Sequence, residues 1–309
     1  MDDKNIHGKI FKKIREERGV KLKDAAGSTI SARTLIRFEA DETSVSLEVF
    51  EQLLRNIGIC YQDYFSEYLP LVEIDQSGFL KQAKVLASAG NYSTIKTLAI
   101  KTLEKDEVSM TTRLYIEQCL GMLNETMVPK IIKENRKIVL KHLKSLDKHT
   151  INELLTLTFI LRTVNDDEFS NNFIRRIIDE NMKPVGTENI FSIDKGERSI
   201  LLLHSAITVL SRRGFEEEAE EKCIKAIELL KNHYSQITHF IFHLNSFNYI
   251  LAQIQLKLNK PEGVDLANKC IRYLDAQIAL HNMLSDNLTR DRLVRIFYEK
   301  NKTGIDFEF

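Results

Sequence analysis

Residues 19–41, GVKLKDAAGSTISARTLIRFEAD, constrain the fold of this chain more than any other stretch. They predict a short helix, a turn and a second helix. Two alanines in the first helix allow close helix packing, Gly27 and Ser28 supply the turn, and Ser31 is a favourable N-cap for the second helix. Two helices joined in this way have the layout of a helix-turn-helix motif.

The second predicted helix has two distinct faces. Arg33 and Arg37 are four residues apart and therefore share a face, whereas Leu35 and Phe38 point towards the predicted core. In a DNA-binding helix-turn-helix the second helix enters the major groove, where arginine can bind guanine through two hydrogen bonds. We therefore expect Arg33 and Arg37 to contact bases; the alternative is a solvated pair of arginines on a surface helix.

Charge is distributed unevenly along the chain. The whole sequence has 44 basic and 44 acidic residues, but residues 4–37 contain 10 basic and 3 acidic ones, and residues 38–65 contain 1 basic and 6 acidic ones. One edge of the N-terminal domain is thus predicted to be basic, as phosphate contacts require. The predicted phosphate contacts, which position DNA without specifying its sequence, are Ser31, Thr34, Lys21 and Lys23.

Arg15 and Glu39 have a different predicted role. They lie at the ends of two predicted helices that pack together in this motif, and we interpret them as a structural ion pair rather than as DNA contacts. If such a pair is buried, removal of one partner costs about 3–5 kcal/mol.

Two segments carry a family resemblance. Residues 31–41, SARTLIRFEAD, and 46–65, SLEVFEQLLRNIGICYQDYF, resemble the N-terminal domain of the Rgg/GadR/MutR regulators, which are Cro/repressor-type helix-turn-helix proteins of Gram-positive bacteria. The chain departs from the family pattern at Ala40 and Asp41, where Arg-Gly is usual. The resemblance implies a length near 300 residues, an all-helical C-terminal domain and quorum-sensing control by a short secreted and re-imported peptide. It also implies a homodimer on a pseudo-palindromic operator.

The remainder of the chain reads as helix after helix. Only 12 glycines and 4 prolines occur in 309 residues, and Gly90 and Gly214 occupy matching turns between predicted helices. The tripeptides at 222–224 and 269–271 recur 47 residues apart, which indicates tetratricopeptide-like helix pairs. The prediction is an all-α chain with a five-helix helix-turn-helix domain at 1–69, a linker at 70–76 and a tetratricopeptide-like α-solenoid at 77–309. Residues 183–195 are predicted to form a loop.

A helical solenoid has a concave face that suits an extended peptide. Asparagine can bind the NH and CO groups of a peptide together. The first helix of each pair should line that face, and its polar residues are the predicted peptide contacts: Asn245, Asn248, Arg162 and Asn165, with Arg113, Gln118 and His204 as weaker candidates. For any one of them the alternative is an ordinary helix residue.

The sequence disfavours an enzyme. It has no glycine-rich phosphate loop, nucleophile elbow or recognisable pair of catalytic carboxylates, and it suggests no cofactor. His239 and His243 are four residues apart, but the glutamate of a zincin motif is absent, so packing is the favoured explanation and no metal is expected. The four cysteines are widely spaced, which predicts small buried thiols in a reducing compartment rather than disulfides or a zinc site.

Taken together, these features predict a cytoplasmic, sequence-specific transcriptional regulator, because the chain also lacks a signal peptide and a membrane-spanning apolar run. The alternative is a tetratricopeptide-like interaction scaffold in which the N-terminal domain no longer binds specific DNA.

Overall fold

The computed structural model describes residues 6–68, 78–123, 129–163, 168–185, 190–235 and 240–281, together with 291 and 294. These residues form helices and loops without a β-strand. The chain divides into two compact units, 1–84 and 85–309. The predicted linker at 70–76 falls outside the described residues.

The N-terminal unit contains the five predicted helices, and a sixth begins near its end. They are α1 (Ile6–Glu17), α2 (Leu22–Ala26), α3 (Ala32–Glu39), α4 (Leu47–Asn56), α5 (Tyr61–Tyr68) and α6 (Phe79–Ser88). Their shared core is aromatic: the rings of Phe11, Phe38 and Phe50 lie 6.0–6.3 Å apart, and each is at most 9% exposed. The predicted burial of Leu35 and Phe38 is confirmed.

Helices α1 and α3 approach each other unusually closely. A Cβ atom added at Gly8 in α1 would lie only 1.8 Å from the carbonyl oxygen of Phe38. Gly8 is therefore required by the packing of α1 against the end of α3, although glycine lowers intrinsic helix stability.

Arg15 and Glu39 form a bidentate pair between α1 and α3. Arg15 donates from Nε to Glu39 Oε1 at 2.6 Å and from Nη2 to Glu39 Oε2 at 2.8 Å, and its Nη1 donates to the carbonyl of Val20 at 3.0 Å. Both residues are only 6% exposed. Hydrogen bonding to Glu39 raises the pKa of Arg15, so the guanidinium remains charged.

The C-terminal unit is built from helix pairs. Its helices are α7 (Tyr92–Leu103), α8 (Met110–Leu123), α9 (Lys130–Ser145), α10 (Ile151–Thr163), α11 (Asn171–Asn181), α12 (Ile190–Arg212), α13 (Glu216–His233), α14 (Phe240–Lys257) and α15 (Pro261–His281). The first helices of successive pairs contact one another in the order α8, α10, α12 and α14. They form an inner row, and α9, α11, α13 and α15 complete the pairs, as expected for an α-solenoid.

The predicted loop at 183–195 is partly wrong, because α12 already begins at Ile190. Pro184 and Gly186 suggested a loop, but packing around Gly196 keeps the later part of the stretch helical. A Cβ atom at Gly196 would lie 2.9 Å from the ring of Tyr234, and the Tyr234 hydroxyl accepts a hydrogen bond from the Val185 amide at 2.7 Å. Tyr234 thus fixes both ends of the segment.

The prediction that all four cysteines are buried is wrong for one of them. Cys119, Cys223 and Cys270 are buried, but Cys60 is exposed. Cys60 immediately precedes α5, and its amide donates to the Asp63 carboxylate at 2.9 Å in an N-terminal capping contact. An exposed helix end places its side chain in solvent.

The Arg15–Glu39 pair gives a prediction for stability. Glu39→Leu leaves a buried guanidinium without its carboxylate and should destabilise the N-terminal unit by about 3 kcal/mol. The double variant Arg15→Met/Glu39→Leu removes both charges and should be less destabilised than the single variant. Hydrogen-exchange mass spectrometry of the full chain measures this in peptides from 6–68, with peptides from 190–235 as an internal reference. Equal exchange in the single and double variants would contradict a buried-charge penalty.

Candidate DNA-recognition face and ligand cavity

The first turn of α3 is stabilised by a side-chain cap. Ser31 Oγ accepts a hydrogen bond from the Thr34 amide at 3.0 Å, and the two hydroxyl oxygens lie 2.8 Å apart. This cap satisfies one of the amides that a helix N-terminus leaves without a partner. Ser31 is exposed and Thr34 is partly exposed, so both predicted phosphate contacts lie at the surface.

The opposite faces of α3 differ sharply in burial. Leu35, Phe38 and Glu39 are buried, whereas Arg33, Ile36 and Arg37 are exposed. Ile36 has 51% of its surface exposed. It was absent from the sequence-based site, although its spacing of three residues from Arg33 places it on the same face. We call Arg33, Ile36 and Arg37 the α3 face.

Charged side chains around the α3 face have few partners. Arg37 Nε lies 3.4 Å from Glu42 Oε2, but both side chains are more than half exposed, so the pair is weak. Lys21 and Lys23 are exposed on and beside α2, and within the described part of the chain neither they nor Arg33 form an ion pair. These three residues are free to meet phosphate or base groups.

Asp41 follows α3 in a backbone conformation that glycine usually adopts. Asp41 has a φ of 60°, in the left-handed region that favours glycine. Aspartate also tolerates this conformation, and Asp41 is held by an ion pair with Lys9 at 2.9 Å. The loop after α3 therefore accommodates aspartate at this position.

A cavity of about 730 Å³ opens in the C-terminal unit between α10, α12, α14 and α15. Its apolar lining comprises Leu201, Ile241, Phe242, Phe247, Ile250 and Leu274. Its polar lining comprises Arg162, His204, Thr208, His243, Asn245, Ser246, Tyr249, Gln253, Tyr273 and Gln277. The volume and mixed lining are typical of a site for a small or peptidic ligand.

Arg162 projects from α10 into this cavity. Its Nε donates to Ser205 Oγ on α12 at 3.1 Å, and the Ser205 hydroxyl donates in turn to the carbonyl of Leu201. No carboxylate of the described residues contacts the guanidinium, whose side chain is solvent-accessible within the cavity. Surrounding protein lowers the pKa of Arg162 from its ordinary value, because desolvation disfavours a charge that no nearby acid compensates.

The predicted asparagines occupy different positions. Asn245 lines the cavity, and its Nδ2 atom is buried without a hydrogen-bond partner among the described residues. Asn248, one turn further along α14, is not part of the cavity lining. Asn165 falls outside the described residues. The structure thus brings Arg162 and Asn245 to one cavity and places Asn248 elsewhere on the helix.

Two of the weaker candidates take part in hydrogen bonds away from the cavity. Arg113 donates to Asn135 Oδ1 at 3.0 Å, and Gln118 Nε2 donates to Thr156 Oγ1 at 2.8 Å. The third, His204, lines the cavity with its ring against Phe247. Phe247 and Tyr249 contribute to the lining, and Phe247 is also part of the main core.

Neither a metal-binding cluster nor a membrane-spanning helix occurs among the described residues. The described residues contain no group of three or more histidine, cysteine or acidic side chains arranged to hold a metal ion. His243 is buried, and His239 lies outside the described residues. Among the helices described above, none combines the length and apolar character needed to cross a bilayer.

The fold has clear structural relatives. It is similar to the Streptococcus dysgalactiae SHP pheromone receptor Rgg2, with a TM-score of 0.71, 15% identity, and coverage of 95% of this chain and 99% of that chain. It is similar to Bacillus thuringiensis PlcR in complex with the peptide PapR7 and DNA, with a TM-score of 0.60, 18% identity, and coverage of 93% and 98%. It is also similar to PrgX in complex with cCF10, with a TM-score of 0.65, 15% identity, and coverage of 98% of this chain and 97% of that chain.

No protein-family model matches the sequence, and no curated protein sequence matches it. At these identities the structural likeness establishes the fold. The all-α prediction is confirmed, and the resemblance to Rgg-type regulators seen in residues 31–65 extends to the fold of the whole chain.

Proposed function

We propose that this protein is a DNA-binding transcriptional regulator controlled by a short peptide in the cavity of its C-terminal unit. The observation that carries the proposal is the α3 face, where two arginines and an isoleucine are exposed on the second helix of a helix-turn-helix. PlcR, which has the same fold, has been solved with both a peptide and DNA.

On DNA, the α3 face would enter the major groove. Arg33 and Arg37 would donate to guanine O6 and N7, and Ile36 would pack against the C5 methyl group of thymine. Lys21, Lys23 and the Ser31–Thr34 hydroxyls would contact phosphates beside the groove. A cytoplasmic homodimer would present two such faces to half-sites about 34 Å apart in a pseudo-palindromic operator.

Peptide control would act through the cavity. Rgg2 is a pheromone receptor, and PrgX has been solved in complex with cCF10. The buried Nδ2 group of Asn245 has no acceptor among the described residues. Here it would donate a hydrogen bond to a peptide carbonyl. A peptide that binds one arrangement of the dimer more tightly than another would shift the population between them and thus regulate DNA binding.

The alternative function is a protein-interaction scaffold whose N-terminal unit does not bind specific DNA. The helix pairs of the C-terminal unit are compatible with it. The exposed apolar and basic side chains of α3 favour DNA binding instead. They match the guanine and thymine groups of the major groove, whereas a scaffold does not require them on this helix.

The first prediction concerns the two arginines. Arg33→Ala/Arg37→Ala should weaken binding to the promoter DNA upstream of the gene by at least about fivefold per arginine, because each bidentate contact contributes roughly 1–3 kcal/mol. Fluorescence anisotropy at several salt concentrations measures this. The control variant Arg55→Ala/Arg272→Ala removes two exposed arginines elsewhere and should bind normally. Unchanged binding and gene regulation in the α3 variant would favour the scaffold.

The second prediction concerns Ile36. Replacing thymine by deoxyuridine in a selected binding site removes only the C5 methyl group, and at one or two positions this should weaken wild-type binding about threefold to tenfold. In Ile36→Ala the same replacement should have no further effect. Leu47→Ala, which truncates another exposed apolar residue, is the matched control and should keep wild-type sensitivity. Equal sensitivity in all three proteins would exclude contact between Ile36 and thymine.

The third prediction separates the two asparagines of α14. Calorimetric titration with short apolar peptides encoded beside the gene should show saturable binding to the wild-type protein. Asn245→Ala should weaken it about tenfold, because the buried donor no longer pairs with the peptide. Asn248→Ala should bind as the wild type does, since Asn248 lies outside the cavity lining. Equal losses in both variants would place the site elsewhere on α14.

A further inference from the structure

The charge of the cavity lining is unbalanced. Of its sixteen residues, Arg162 is the only one with a permanent charge, and none is aspartate or glutamate. Two other arginines of the unit that pack between helices have carboxylate partners: Arg136 pairs with Glu117 at 3.0 Å and Arg175 with Glu218 at 2.7 Å. Within the described part of the chain, Arg162 instead has a neutral hydroxyl as its hydrogen-bond partner.

The single bond to Ser205 orients the guanidinium rather than neutralising it. Because Nε donates to Ser205 Oγ, the position of the guanidinium plane is restrained while its two terminal amino groups have no hydrogen-bond partner among the described residues. A planar guanidinium with both terminal donors available matches the two oxygens of a carboxylate. Partial desolvation lowers the pKa of Arg162, and a bound anion would stabilise the charge that desolvation disfavours.

The other residues of the cavity lining indicate which further chemical groups a ligand must carry. Ile241 and Phe242 are 56% and 64% exposed on α14, where they provide apolar surface at the cavity. Asn245 offers a buried amide donor that lacks an acceptor. A matching ligand therefore combines a carboxylate, a carbonyl acceptor and apolar side chains.

We propose that the cavity selects peptides that carry a carboxylate, which pairs with Arg162. This inference rests on the proposed peptide control and adds the chemical class of the ligand. The carboxylate could belong to an acidic side chain or to the C-terminus of the peptide, because both present the same two oxygens.

Affinity selection with mass spectrometry on the full chain tests the proposal. The probes are eight-residue libraries of Leu, Ile, Val, Phe and Gly with one Asp or one Asn at a random position, each made as the free acid and as the C-terminal amide. Wild-type protein should retain Asp members or free-acid members about tenfold to a hundredfold more strongly than their neutral counterparts. The Asp–Asn comparison identifies a side-chain carboxylate, and the acid–amide comparison identifies a terminal one.

Variants of Arg162 show whether the preference arises at this residue. Arg162→Gln should lose it, whereas Arg272→Gln, which removes an exposed arginine outside the cavity, should retain it. Arg162→Glu should instead retain peptides in which Lys replaces Asp. This reversed preference requires a folded cavity and so separates a change of selectivity from a loss of structure.

The possible failures are distinguishable. Equal retention of charged and neutral peptides by the wild-type protein would overturn the carboxylate proposal and leave peptide binding intact. A preference that persists in Arg162→Gln would also overturn it. Retention of no peptide from any library would contradict peptide control itself.

Discussion

The buried contact between α1 and α3 is the constraint on which the α3 face depends. Gly8 allows α1 to approach the end of α3, and the bidentate pair of Arg15 with Glu39 fixes their register. A rotation of α3 would separate these charges in a buried environment at a large energetic cost. The same constraint leaves Arg33, Ile36 and Arg37 on the opposite, exposed side. Burial of one face of α3 thus determines which side chains can reach a ligand on the other.

In the C-terminal unit, apolar and polar residues of the same helices also have separate roles. Its inner helices pack through apolar residues such as Leu202, Leu210 and Phe247, each at most 1% exposed, while polar residues of the same helices line the cavity. Because the core already secures the helix row, the terminal amino groups of Arg162 and the Nδ2 group of Asn245 can lack partners among the described residues without loss of the fold. A ligand can then supply the acceptors that these donors lack. Donors that are unsatisfied in the protein alone thereby contribute to binding.

Helical periodicity was sufficient to predict an all-helical fold, most helix bounds and the burial of Leu35 and Phe38. Features that depend on contacts between distant residues could not be predicted. The helical start of α12 depends on Tyr234, which is 38 residues beyond Gly196. Asn245 and Asn248 look equivalent in the sequence, but only Asn245 belongs to the cavity lining. The lack of an acid beside Arg162 among the described residues depends on which helices meet at the cavity.

The structure shows that several basic side chains of the N-terminal unit already have partners within the protein. Several of its cations are already engaged: Lys9 with Asp41, Lys13 with Glu67, Arg15 with Glu39, and Arg18 with the carbonyl of Ile57. In the described part of the chain, Lys21, Lys23 and Arg33 remain without an ion pair. Each phosphate contact contributes about 0.9 to the slope of log affinity against log salt. In the proposed complex with DNA, these few cations would give a modest salt dependence, and most discrimination between sequences would come from the α3 face.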